Sequence, residues 1–307
     1  TGIYSYDIEQ IGQSPTAASM GSTFATVFNT APFDKLTFVN KIGLNLEKDI
    51  KKDLILYGGF EWKSYTPLGL ANYQRVLNFD TANVSNIKTF EFIGRVRWTK
   101  GEEFLSGYFD RTSLRSVYPI FSLQAIIGMK NIFGSEYNYQ RLEFQMEHNT
   151  QLGVLGRMRY GVTAGYIFGT TAYPFLKVHE GNQSLWLLTS TFNKLNFMEF
   201  ISDKYLTGFI ENHWEGLFFD RIPLVKKLNL RLVSTGRILY GDISQKHEQA
   251  MLIPDFVKRF NGVPYMETSI GIENILKVIR VDIVWRMTHP IPGQSPFGIR
   301  ARYALNF

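Results

Sequence analysis

Glu211-Asn212-His213, with Asp203 a short way upstream, is the only cluster in this 307-residue chain whose residue types suggest acid–base chemistry. On an extended strand Glu211 and His213 share a face. A carboxylate beside an imidazole is part of what an activated serine needs, but a serine must also lie within reach, and no spacing supplies one. The same residues also describe a hydrogen-bond network in a polar lumen, or a charge pair at its rim, and the pattern favours that reading. The other histidines, His148, His179, His247 and His289, are scattered. There is no His-x-x-x-His pair or acidic loop for a metal, and no glycine loop to cradle phosphate. The absence of cysteine excludes disulfides and cysteine-ligated metals. No catalytic, cofactor or metal residue is assigned, and an enzyme is not expected.

A second set of side chains bears on transport. Arg95 and Arg97, Arg157 and Arg159, Arg231 and Arg237, Arg280 and Arg286, and Arg300 and Arg302 all fall on the polar faces of alternating segments. Unpaired, they would make a lumen that favours anions. The same faces carry Glu91, Glu143, Glu147, Glu267, Glu273 and Asp282, and pairing with these acids is the preferred expectation. The net charge of +6 suits lipopolysaccharide phosphates, but lumen and loop cations account for it more simply. No nucleic-acid partner is expected.

The elements that position these residues read as long strands. In 297–307, Phe297, Ile299, Ala301, Tyr303, Leu305 and Phe307 alternate with Gly298, Arg300, Arg302, Ala304 and Asn306. At about 3.3 Å per residue this segment crosses the roughly 25 Å apolar band of an outer membrane, and it ends on an aromatic residue. Similar alternation runs through 36–48, 53–65, 86–99, 116–130, 137–152, 156–170, 203–215 (weakly), 226–241, 265–276 and 278–288. Soluble strands usually run about five or six residues, and the charges opposite the apolar face are too many for a packed core. A barrel with lipid outside and a wet interior satisfies both faces and removes the sheet edges that a bilayer cannot tolerate. Aromatics at 15%, with 25 Phe and 16 Tyr, suit girdles at two interfaces. The mean hydropathy of −0.10 and the lack of a long apolar run leave no helical span to read.

These segments make eleven strands. Ile3-Tyr4-Ser5-Tyr6-Asp7-Ile8 supplies a twelfth, with 11–31 as a loop rich in Gly, Ser, Thr and Ala. The expectation is an all-β, antiparallel transmembrane β-barrel of about twelve strands in this chain. It occupies 36–307, and 1–35 is either its first strand and loop or the remnant of an upstream region. With Phe307 in the periplasm, 66–85, 171–202, 242–264 and 289–296 fall outside the cell, and 49–52, 153–155 and the turn near Lys277 fall inside, as barrel loop lengths require. Three connections fit poorly: 100–115 and 216–225 are long for periplasmic turns, and 131–136 is short for an external loop. The blocks 173–182 and 192–200, in the longest external connection, are expected to be either a plug in the barrel mouth or a lid packed over it. Thr1-Gly2-Ile3-Tyr4 is no secretory signal, so the chain reads as a mature product or as a fragment of a longer one.

Tyr173-Pro174-Phe175-Leu176-Lys177-Val178-His179-Glu180-Gly181-Asn182 resembles uncharacterised outer-membrane proteins that carry an amino-terminal carboxypeptidase-regulatory-like domain. So do the stretch from Phe192 through Met198-Glu199-Phe200-Ile201-Ser202-Asp203-Lys204-Tyr205 to Arg221-Ile222-Pro223-Leu224-Val225-Lys226-Lys227-Leu228, and the stretch from Gly271-Ile272-Glu273-Asn274 to Asp282. That family is distantly similar to the outer-membrane assembly factors and two-partner secretion transporters. The resemblance implies a sixteen-stranded barrel with upstream strands, a periplasmic domain, and a role in inserting or exporting proteins or other large cargo. The assembly factors' Arg-Gly-aromatic loop motif has no counterpart before Asp203, where Lys194 and Phe197 stand, so no functional residue is carried over. The alternatives are a pore for small solutes and a closed scaffold that docks partner proteins. The expected location is the outer membrane of a Gram-negative bacterium. The expected partners are its lipid and lipopolysaccharide, together with periplasmic or outer-membrane proteins.

Overall fold

The computed structural model describes residues 1–10, 34–77, 80–106 and 111–303. Its wall is one twelve-stranded sheet. The strands are β1 (Gly2–Gln10), β2 (Lys35–Lys51), β3 (Leu54–Gly69), β4 (Ile87–Thr99), β5 (Ile120–Gly128), β6 (Asn138–Gln151), β7 (Arg157–Thr170), β8 (Lys204–His213), β9 (Arg231–Asp242), β10 (Tyr265–Ile275), β11 (Ile279–Arg286) and β12 (Phe297–Tyr303). Each pairs antiparallel with the next, a simple meander. β1 holds the stretch expected at Ile3–Ile8 and runs in register with β2 from Gly2↔Leu44 to Gln10↔Leu36. Among the described residues no ladder joins β1 to β12.

The sheet is inside out by the standards of a soluble protein. Ile283 is 56% exposed, while the adjacent Asp282 is 0% exposed. Ile270 faces Ile283 across the ladder and is equally bare. In β2 and β3, Ile42, Leu44, Leu46 and Phe60 point outward, and Asn45 and Glu61 are buried. This polarity defines an antiparallel transmembrane β-barrel. Stacked outward rings mark its rims: Trp98 on Phe121 at 5.5 Å near one end, and Trp285 on Phe297 at 5.6 Å near the other.

Connection lengths sort by end. Residues 70–77, 80–86, 129–137, 171–203, 243–264 and 287–296 lie at one end, and the turns at 52–53, 152–156 and 276–278 lie at the other. The two long connections at the short-turn end carry their own structure. The first is a hairpin of Glu103–Ser106 with Arg111–Arg115. The second is a 3-10 turn, Phe219–Arg221, followed by the helix Pro223–Lys226.

That helix shortens the expected strand at 226–241, which begins only at Arg231. Pro223 supplies the fixed φ that suits a first helical residue, and Asn229 then takes a left-handed φ of 50°. Leu228 and Leu230 therefore lie outside the sheet. Likewise β5 starts at Ile120, just after Pro119, and not at 116. At the carboxyl end Phe297, Ile299 and Tyr303 face outward as expected. Leu305 and Phe307 lie outside the described residues, as does the expected loop at 11–31.

Gly59, in β3, allows close backbone approach. A Cβ there would sit 2.1 Å from Asn45 Oδ1 and 2.8 Å from Leu44 O.

The outward face yields a direct test. Ile283→Arg places a charge midway along β11 on the lipid side and should cost about 2–4 kcal/mol. Urea-dependent folding into phospholipid vesicles measures this. A change as small as that of Ile283→Val would contradict the assigned orientation.

Candidate functional site

The connection between β7 and β8 turns back into the barrel and packs against its polar inner wall. It begins with the 3-10 turn Tyr173–Phe175, with Pro174 in its first turn. It is then closed on itself by the short ladder of Lys177–Val178 with Ile201–Ser202. Gly181 is required here, because a Cβ would lie 2.3 Å from Leu195 O. Tyr173, Phe175, Leu176, Met198 and Ile201 form an apolar cluster with Tyr73 and Met251 from neighbouring loops and Tyr139 from the wall. Phe175 stacks on Tyr139 at 6.0 Å. A second cluster joins Phe192, Leu195 and Phe200 to Phe260, Leu239 and Tyr265. Of the two arrangements expected for this segment, the structure shows the plug.

Charged wall residues clamp it. The Arg286 guanidinium donates to both oxygens of Glu199, at 3.0 and 2.7 Å, and to Lys194 O at 3.1 Å. Lys258 Nζ, from the 243–264 loop, lies 2.8 Å from the same carboxylate. Burial pushes the Glu199 carboxyl up, but hydrogen bonds and charge from Arg286, with Lys258, leave it below the usual carboxylate range. Glu267 accepts the backbone N–H groups of Asn193 (2.8 Å) and Lys194 (3.0 Å). Glu143 accepts from Lys177 Nζ at 2.9 Å and from the Tyr205 hydroxyl. Arg141 and Arg237 donate to the carbonyls of Phe175 and Thr189. These bonds give the plug's polar backbone partners inside the barrel.

Beneath the plug the wall is a charge network. Arg280 donates to Asp282 at 2.7 and 2.8 Å and to Glu211 at 3.0 Å. Ser269 donates to Asp282 at 3.0 Å. A small, partly open space of about 10 Å³ between plug and network, lined in part by Thr189, Glu211, Glu267 and Arg280, has room for about one water.

Glu211 and His213 do share a face and meet, at 3.2 Å. The other imidazole nitrogen of His213 is 2.9 Å from Glu273. Both nitrogens thus face carboxylates, which is ion-pair geometry, with neither left to take a proton from a serine. Asn212 points elsewhere, donating to Leu155 O at 3.3 Å. Asp203 belongs to a different group. It accepts from Ser244 Oγ at 2.6 Å and lies 3.4 Å from His247, whose other nitrogen is 3.1 Å from Thr171 O. Burial raises the Asp203 carboxyl, and the His247 and Ser244 hydrogen bonds more than offset this. This cluster ties the plug's two ends to the 243–264 loop.

All six acids named from the sequence have a basic partner. Glu147, Glu267 and Asp282 face Arg159, Arg237 and Arg280. Glu91, Glu143 and Glu273 face Lys63, Lys177 and His213. Arg97 pairs with Glu102 and Arg231 with Glu215. Arg95 lies over the Tyr57 ring. Periodicity marked the wall residues, but it carries no sign of the Arg286–Glu199 clamp or of His247, whose partners are distant in sequence.

A family model described as "Family of unknown function (DUF5686) C-terminal domain" matches residues 5–250, a span that includes the plug. The chain belongs to this DUF5686 C-terminal domain family. No curated protein sequence matches the chain. Among solved structures it is similar to BamA from Haemophilus ducreyi lacking POTRA domains 1–3, with a TM-score of 0.53 at 9% identity. The match covers 90% of this chain and 56% of that one, so the chain spans little more than half of that relative's length. The likeness is one of fold.

Two measurements test the plug. Arg286→Met leaves Glu199 buried with Lys258 as its remaining salt-bridge partner among the described residues, and breaking such a pair costs about 3–5 kcal/mol. Hydrogen exchange should speed up across 192–200 while β2–β6 stay protected; unchanged exchange would contradict the clamp.

His179 is fully buried, with Nε2 3.0 Å from Ser202 Oγ. Burial, aided by Lys177, lowers its pKa from 6.5 to about 3. The imidazole is therefore neutral in the seated plug and takes up a proton more readily in the released one. Its stabilising contribution is complete above pH 6.5 and is lost as the pH falls towards 3. Exchange at 173–202, corrected for intrinsic rate, should rise across that window, and His179→Gln should flatten the rise.

Proposed function

We propose that this chain is the barrel of a Gram-negative outer-membrane protein that aids the insertion or export of proteins or other large cargo. The observation that carries this reading is the seated plug. A barrel whose inner wall is bonded to its own loop, with Arg286 clamping Glu199 and Glu267 holding the backbone of Asn193 and Lys194, is poorly suited to continuous passage of small solutes. The barrel fold shared with BamA and the sequence resemblance to outer-membrane assembly factors support a cargo role. On this reading the long-loop end faces the cell exterior, the bare apolar wall meets lipid, and the loop rim meets lipopolysaccharide. Further strands would complete a sixteen-stranded barrel, and the implied carboxypeptidase-regulatory-like domain would lie on the periplasmic side.

The same plug also favours the closed scaffold as a second reading. Depletion separates the two. A cargo role predicts loss of particular proteins from the outer-membrane or secreted proteome, and an unchanged proteome overturns it. A scaffold predicts a stable co-purifying partner. Single-channel recording addresses the small-solute pore: the purified barrel should be silent, and steady large conductance would overturn the closed state.

A further inference from the structure

The outer wall carries a recess in which the plug has no part. It spans β2, β3 and β4, each paired on both sides within this chain, so it does not depend on whatever strands complete the barrel. Ile42, Trp62 and Phe90 lie side by side across the three strands, with Leu44 and Phe60 one step nearer the short-turn end. The 129–137 connection folds down over this outer face. Trp62 Nε1 donates to Phe133 O at 3.0 Å, and the Phe133 ring packs on Phe90 at 5.5 Å. Together these side chains bound an open groove of about 580 Å³.

Phe133 takes a φ of 47°, a left-handed backbone that a bulky side chain rarely adopts, and it stays 73% exposed. A ring fixed in this position gives the wall a lip. On the long-loop side of the groove the same outward face turns polar. Asn40, Ser64 and Lys88 are cross-strand neighbours, two residues beyond Ile42, Trp62 and Phe90, a rise of about 7 Å. The Lys88 stem passes beside the lip, 3.4 Å from where a Cβ on Gly134 would stand. Among the described residues no carboxylate lies within salt-bridge distance of Lys88. Lys204, at the same rim, is instead matched by Asp242 directly across the ladder, at 3.1 Å.

An ammonium group without a counterion, one step above an apolar groove, complements a molecule with phosphate at one end and hydrocarbon at the other. The lysine stem lies on the wall while its head reaches the interface. Ser64 and Asn40 add hydrogen-bonding groups in the same row. Spanning three strands, about 10 Å, the groove is wider than one acyl chain, which suits a headgroup that bears several. We propose that this groove binds one molecule of lipid A, the phosphorylated acyl anchor of lipopolysaccharide. Its hydrocarbon lies against Ile42, Phe60, Phe90 and Phe133, and its phosphate pairs with Lys88. The proposal rests on the reading that the long-loop end faces the cell exterior, where lipopolysaccharide is found, and not on the cargo role.

The test offers full-length protein, purified in detergent and stripped of lipid, an equimolar mixture of lipid A and phosphatidylglycerol. Native mass spectrometry reads what is retained. Each barrel should keep one lipid A, in preference to phosphatidylglycerol by on the order of tenfold. Lys88→Gln should lower retention by on the order of tenfold, as loss of a charge-assisted hydrogen bond implies. Lys88→Arg should restore it, and Phe133→Ala, which removes the lip, should weaken it. Lys204→Gln should leave it unchanged. Equal retention of the two lipids, full retention by Lys88→Gln, or an equal loss with Lys204→Gln overturns the proposal. Orientation is read separately. The sequence has no cysteine, so Ser295→Cys, in the exposed 287–296 connection, should gain labelling by a membrane-impermeant maleimide on intact cells, relative to the unsubstituted protein. No gain removes the orientation and the site with it; a gain without lipid A retention removes the site alone.

Discussion

Every backbone N–H and C=O in this wall has to find its partner in the sheet, because lipid offers none. The rest of the structure follows from that constraint. It forces long strands paired neighbour to neighbour, so that half of each strand's side chains point outward. Those must be apolar, which leaves the charges no place but the inside. Ile283 bare beside a buried Asp282 is this rule at a single peptide bond.

An interior lined with carboxylates and guanidiniums is costly unless each finds a counterpart. The wall meets part of the need by pairing with itself, as Arg280 does with Glu211 and Asp282. The plug meets another part, because Glu267, Arg237 and Arg286 bind its backbone or Glu199. Wall and plug are therefore electrostatic complements. The plug's aromatic residues act differently, by burying Tyr139 and Tyr265, which would otherwise face a polar interior.

The wall was legible in the sequence because alternation with period two survives in any strand that separates lipid from a polar lumen. All twelve strands stand near their expected positions, as does the Glu211–His213 pair, which needed only a shared face. The boundary near residue 226 was misplaced because Leu228 and Leu230 continue the alternation while Pro223 and Asn229 impose local conformations that end it. Asp203 was near His213 in the chain but not in space, since it sits at the opposite end of β8. Whether the 171–202 segment entered the barrel or covered it was not readable. That choice is made by contacts such as Arg286 with Glu199, 87 residues apart, which leave no periodic trace.

The meander has a consequence for the order of assembly. Each strand pairs with its neighbour in sequence, so even across the longer loops each step of closing the wall constrains a limited length of chain. The plug's anchors are of another kind: Arg300 reaches Asn193 across 107 residues, and Arg302 reaches Thr189 across 113. Those bonds have no partner until the last two hairpins are in place. The 171–203 segment finds contacts with Tyr139, Arg141 and Glu143 on strands that precede it, but its bonds to Arg286, Arg300 and Arg302 can form only once the carboxyl-terminal third of the wall is in place.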